Sequence, residues 1–187
     1  ITDCLFEGNA TTVSGTVLSG KSNVQASFAN NIIRNNQNTA ESGDEWRSAL
    51  ITTVSNMVLA NNLIVNNTSK QLLIDIQGGT QLNNTIANNK GTLYIDGAGS
   101  PFWYNNIVVN NEASREKAVE VAANNEQCWI EYSAFDTEID FGEATNSNNV
   151  VDATPFVNPA SFKGAATDAT QKEESAKADY SLKEASL

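Results

Sequence analysis

Apolar and polar positions along the chain recur in short bursts, and the bursts keep a fixed internal register. Phe28-Ala-Asn-Asn31-Ile-Ile33-Arg-Asn35-Asn36 aligns with Leu59-Ala-Asn-Asn62-Leu-Ile64-Val-Asn66-Asn67. Gln81-Leu-Asn-Asn84-Thr-Ile86-Ala-Asn88-Asn89 and Trp103-Tyr-Asn-Asn106-Ile-Val108-Val-Asn110-Asn111 follow. Degenerate copies flank them, Ile1-Thr-Asp-Cys4-Leu-Phe6-Glu-Gly8-Asn9 and Trp129-Ile-Glu-Tyr132-Ser-Ala134-Phe-Asp136. Counted at Phe6, Ile33, Ile64, Ile86, Val108 and Ala134, the spacings are 27, 31, 22, 22 and 26 residues. A 22-residue unit accommodates three short strands and three turns, with longer units carrying the excess in one loop. Self-similarity at this period is the mark of a stacked repeat.

The always-apolar column points inward and forms a ladder of stacked side chains. The columns Asn31, Asn62, Asn84, Asn106 and Asn35, Asn66, Asn88, Asn110 recur with it. An Asn amide carries both donors and an acceptor, so stacked copies can bond one another and the turn backbone. Asn also tolerates the left-handed conformation of tight turns. One or both columns are therefore expected as Asn ladders. Between the motifs lies a second strand set, over 49–54, 72–76, 93–96 and 119–121. An antiparallel sandwich is the alternative, but hairpins would not hold an Asn-Asn pair in constant register. The pattern predicts an all-β chain folded as a right-handed parallel β-helix of about six coils over 1–137. An irregular C-terminal segment over 138–187 is expected to cap it. Within it, 165–178 reads as polar and mobile, and Phe156 and Tyr180 with Leu182 are expected to pack on the solenoid end.

Composition narrows the function. A net charge of -11 argues against nucleic acid and anionic membranes, because phosphate binding needs clustered Lys and Arg. Charged residues are 18% of the chain, below the roughly 25% of ordinary domains. Asn, Ser and Thr supply polarity instead, which suits stacked turns and extracellular surfaces. No apolar run is long enough to span a membrane. With no histidine present, Ser/His, Cys/His and His-metal sites are unavailable. Cys4 and Cys128 sit at opposite ends of the array. Five coils of about 4.8 Å separate them by roughly 24 Å, beyond disulfide reach, so both read as small core residues. Asn9, Asn66 and Asn83 begin Asn-x-Thr sequons, which Asn abundance alone generates.

The coils, the stretch from Asp152 to Pro159 and the ending Asp179-Tyr180-Ser181-Leu182-Lys183-Glu184-Ala185-Ser186 resemble the right-handed β-helix surface proteins of Bacteroidetes-type gut and oral bacteria. The likeness covers most of the chain. It implies an exported, cell-surface and often lipid-anchored location, and no specific activity, since the fold hosts lyases, glycosidases and adhesins alike. Such proteins usually continue past this ending, and Ile1 opens inside a repeat, so the chain reads as a fragment or processed product.

Candidate chemistry falls on the second strand set. Asp75, Asp96 and Glu120 read as equivalent outward positions on consecutive coils, with Thr53 their counterpart one coil earlier. Stacked like charges repel, and a Ca²⁺ ion at Asp75 and Asp96 or a hydroxylated ligand would offset that. Paired carboxylates also serve glycoside chemistry. The plain alternative is solvated acids on an acidic surface. Tyr94 shares this face and could stack on a sugar. The loop from Gln37 to Arg47 brings Asp44, Glu45, Trp46 and Arg47, and later loops bring Lys70, Lys90, Arg115 and Lys117, so that bases could wall a groove beside acids. Arg47, Lys70 or Lys90 could act as the base of a lyase. Trp103 and Trp129 read as packing. These features point first to a non-catalytic structural and binding module contacting a glycan or a surface protein, with no cofactor except a candidate Ca²⁺. A polysaccharide lyase or glycoside hydrolase acting in the outward groove is the second reading. An accessory subunit of an outer-membrane assembly is the third.

Overall fold

Each Asn-Asn pair divides its work between two neighbours. The first Asn of the leading pair takes the left-handed backbone: φ is 57° at Asn30, 55° at Asn61, 55° at Asn83 and 52° at Asn105. Asn accepts this conformation because its short polar side chain compensates locally. The bend turns the next residue inward. Asn31, Asn62, Asn84 and Asn106 are consequently buried. The backbone N–H and side-chain Nδ2 of Asn31, Asn62 and Asn84 each donate to the Oδ1 of the next Asn in the column, at 2.8–3.0 Å. The spare Nδ2 hydrogen returns to a carbonyl of the preceding repeat, Asn62 to Phe28 and Asn84 to Leu59.

The second pair repeats this arrangement one residue later than the sequence suggests. Asn35, Asn66, Asn88 and Asn110 are the left-handed residues, with φ of 53–56°. The ladder belongs to Asn36, Asn67, Asn89 and Asn111. Both columns were visible as Asn, but only the residue after each bend can reach inward.

In this computed structural model residues 1–21, 25–41, 48–122 and 127–184 are described. The chain visits three parallel sheets in rotation, of seven, seven and six strands. Sheet 1, six-stranded, pairs Ala26–Ala29, Met57–Ala60, Thr80–Leu82, Phe102–Tyr104, Trp129–Glu131 and Thr145–Ser147. Sheet 2 runs from Leu5–Glu7 to Val150–Val151, and sheet 3 carries Ala49–Thr53, Thr68–Ile76, Lys90–Asp96 and Val119–Ala122. The interior between them is apolar, with Phe28, Ile33, Ile51, Leu59, Ile64, Ile74, Ile86, Ile95, Trp103 and Ile130 essentially inaccessible to water.

Two register expectations shift. The inward column continues from Val108 to Phe135, with Ala134 opposite Ile107, because Trp129 pairs with Phe102 and not with Trp103. Strand pairing continues to Val151, beyond residue 137. Cys128 is a core residue, as expected, but Cys4 is exposed; both are free thiols.

The C-terminal segment does not sit where a cap was expected. Phe135, Ile139 and Phe141 pack at the end of the stack. Phe156 and Tyr180 instead meet edge-to-face on the outer face of sheet 2, over Val65, Ala87 and Val109, while Leu182 stays exposed. The outward position of the motif is apolar in these three repeats and requires cover. The polar stretch expected to be mobile holds a helix, α1, Ala169–Lys177. The Asp168 side chain caps it by accepting from Gln171 N, and the Gln171 side-chain oxygen accepts from Thr167 N, the residue before the cap. The segment reads the left-handed Asn column: Asn66 Nδ2 donates to Phe162 O at 3.0 Å, Ala166 N donates to Asn35 Oδ1 at 3.1 Å, and Asn88 Nδ2 donates to Ala160 O. Gly164, at φ +83°, lets the backbone approach closely; a Cβ there would lie 2.7 Å from Thr68 Oγ1.

The two members of an Asn-Asn pair should therefore respond differently to mutation. Asn62→Ala strands several buried partners and is expected to cost about 3 kcal/mol or more in urea unfolding. Asn61→Gly keeps the left-handed bend and should cost less than about 1 kcal/mol; equal losses would contradict the assignment. Burial, then the charge of Asp96, pushes the Cys128 thiol up to about 11. The folded state therefore favours the neutral thiol, and this contribution to stability holds below the ordinary thiol value near 9 and fades as pH rises toward 11. A thiol reagent at pH 8 should label Cys4 in the native protein and Cys128 only after denaturation.

Candidate functional site

Sheet 3 brings together part of the expected site. Asp75 and Glu120 face outward at one level, but Tyr94 lies between them in the register, and Thr52, not Thr53, stands opposite Asp75 on the other side. Asp96 is displaced two residues along, opposite Ala122. The three acids therefore do not stack, because 93–96 pairs with 119–122 from its first residue. Asp75 is fully buried and accepts from Gln77 Nε2 at 2.6 Å. Thr53 points into the core.

Around Tyr94 the loop cations do meet the acids. The Arg115 guanidinium lies 5.9 Å from the Tyr94 ring centroid and 3.6 Å from the Glu120 carboxylate. Lys117 approaches Asp140 at 4.0 Å. Tyr94, Glu116, Lys117, Glu120 and Asp140 line a shallow groove of about 250 Å³. Lys70 pairs with Glu41 and Lys90 with Glu112, so these two lyase candidates are engaged by carboxylates. Trp46 and Arg47, with Asp44 and Glu45, lie outside the described residues. Among the described residues, no group of three or more Cys, Asp or Glu side chains gathers closely enough to hold a metal ion.

A different face is more distinctive. On sheet 1, strand alternation sends two rows outward. One runs Ser27, Val58, Thr80, Phe102, Trp129, Thr145, and the other Ala29, Ala60, Leu82, Tyr104, Glu131, Ser147. Glu131 is the single charged residue in the two rows, on a chain whose net charge is -11. Phe102 and Trp129 stack at 4.6 Å with planes 6° apart, and Tyr104 lies nearly parallel to Phe102 at 6.2 Å. Burial, then Glu131 and Tyr132, raise the Tyr104 phenol above its ordinary value. Trp103, between the two outward rings, is buried in the core as expected; Trp129 belongs to the outer face.

Beyond the edge of this face the left-handed corner opens into a groove of about 380 Å³. Asn83, Asn105, Tyr132 and Asn148 form one side, and Ile107, Val150 and Leu182 supply apolar surface. The outer amides also stack, Asn105 Nδ2 donating to Asn83 Oδ1 at 2.7 Å and Asn83 Nδ2 to Asn61 Oδ1 at 3.1 Å. Tyr132 holds φ of 53° where neighbouring repeats hold Asn. The left-handed region costs an ordinary L-residue about 1–2 kcal/mol, and a bulky residue there is uncommon. The sequence signals for this region were the alternation Phe102-Trp103-Tyr104 and the replacement of Asn by Tyr132 in a degenerate copy.

Calorimetric titration with Ca²⁺ should give no saturable heat, given the separation of Asp75 from Asp96 in the register. Saturable heat that disappears in the Asp75→Asn, Asp96→Asn double variant would reinstate the calcium site. The chain matches no protein-family model, no curated protein and no solved structure.

Proposed function

We propose that the chain is a non-catalytic binding module of an exported bacterial cell-surface protein. In this reading its three sheets close into a right-handed parallel β-helix of about six coils, and the outer face of sheet 1 holds a glycan. The observation that carries the proposal is the nearly charge-free aromatic face of sheet 1 on a strongly acidic protein. An apolar aromatic surface packs against the C–H faces of sugar rings, and the bordering Thr80, Thr145, Asn83 and Asn105 offer uncharged groups to hydroxyls. Rings already stacked at 4.6 Å lose little rotamer freedom on binding. A parallel sheet also gives the rigid, extended platform suited to a polymer. The exported location follows from the resemblance to surface β-helix proteins and accords with the Asn-, Ser- and Thr-rich composition.

The test is retention on immobilised polysaccharides, neutral (xylan, mannan, β-glucan) and acidic (polygalacturonate). The wild-type chain should be retained by a subset. A Phe102→Ala, Trp129→Ala double variant that keeps its circular dichroism should bind at least about tenfold more weakly, a change of about 1.4 kcal/mol. Retention untouched by the double variant would remove the face from the reading. Release of unsaturated uronides, read by ultraviolet absorbance, would overturn the non-catalytic assignment.

A further inference from the structure

We infer that the sugar site extends from the aromatic face into the corner groove beside it, that the groove takes a neutral glycan chain lying along the stacking direction, and that Tyr132 is the groove's main contact. This deepens the glycan reading above and rests on it.

The ligand class follows from the lining. Asn83, Asn84, Thr85, Asn105, Asn106, Ile107, Tyr132, Ala134, Asn148, Val150 and Leu182 include no charged side chain. On a chain of net charge -11 with Glu131 next to the groove, a polyuronate meets repulsion and no cation to offset it. A neutral, polyhydroxylated chain meets neither penalty. The Asn83 and Asn105 amide nitrogens each spend one hydrogen on the neighbouring Asn and keep the other for a ligand. Val150 and Leu182, both well exposed, add apolar surface for ring C–H groups.

The direction follows from the repeat. Equivalent amides recur once per strand spacing, about 4.8 Å, a length close to that of one sugar unit in an extended chain. Successive units running along the stack therefore meet equivalent groups, whereas a chain laid across it meets one amide and then the sheet.

Tyr132 identifies the contact. At this corner the other repeats place Asp3, Asn30, Asn61, Asn83, Asn105 and Asn148, all with φ of 52–57°. A tyrosine at φ 53° is disfavoured by its own backbone, and its surface is 58% exposed, so burial does not compensate. A residue that is unfavourable for the fold and open to solvent is explained by what its ring touches from outside.

The residue of the neighbouring repeats supplies the test. Tyr132→Asn should raise Tm by about 2–4 °C as the strain is relieved, while affinity for soluble neutral oligosaccharides (xylo-, manno- and cello-oligosaccharides) falls about tenfold or more. Asn105→Gly, which keeps the left-handed bend but removes the amide, should weaken binding with little change in Tm. Loss of stability in Tyr132→Asn with unchanged oligosaccharide affinity would make Tyr132 structural and overturn the inference. The glycan reading would then still stand if the Phe102, Trp129 variant lost binding. Affinity confined to oligogalacturonate would overturn the neutral class alone, and no binding to any glycan would remove both.

Discussion

The buried asparagine ladder is the constraint on which the structure depends. Apolar side chains tolerate small slips, because one aliphatic contact substitutes for another. An amide sealed from water does not, since each unsatisfied donor or acceptor is expensive. Asn62 satisfies its amide only when Asn84 follows and Asn31 precedes it at the same level. The ladder thus fixes the register of every repeat regardless of loop length, which is how units 22, 27 and 31 residues apart share one set of strands. Where the amide is lost the role persists in another form: Asn106 N donates to the Ser133 hydroxyl, and Ser133 N to Asn149 Oδ1.

Once the register is fixed, the outward faces are free to differ, and each sheet resolves its exposed surface in its own way. Sheet 2 presents Val65, Ala87 and Val109 and is covered by the chain's own C-terminal segment. Sheet 3 presents mixed charge and pairs it locally, as Arg115 does with Glu120. Sheet 1 presents aromatic and small side chains that nothing in the described chain covers. That contrast directs attention to sheet 1, since a self-contained fold would be expected to treat its apolar outer surfaces alike.

The sequence made the inside of the molecule legible and left the outside largely unread. Ile33, Ile64, Ile86 and Val108 and the leading ladder of Asn31 to Asn106 sit where the pattern puts them. The second ladder was misassigned by one residue because both members of each pair are Asn, and only the backbone bend separates them. The slip from Ala134 to Phe135 has a related origin: tryptophan at 103 and 129 suggested a false alignment. For the acids, Ile74 and Ile95 look equivalent in sequence, but the pairing joins Ile74 to Leu93 and places Tyr94 beside Asp75. Helix α1 was missed because it buries little apolar surface and docks through hydrogen bonds, so hydrophobic periodicity carries no trace of it. Its Asp168 and Gln171 cap was the available signal.

The C-terminal segment alters how such a stack comes apart. A chain of repeats that touch only their neighbours can peel from either end, one unit at a time. Here Ala160, Phe162, Ala166, Ser175 and Tyr180 tie Asn88, Asn66 and Asn35 together across three repeats. The middle of the molecule is cross-braced. Amide protons of the central strands therefore exchange with solvent only through openings that release the brace. A pulling force applied along the stack would meet the braced repeats as one unit.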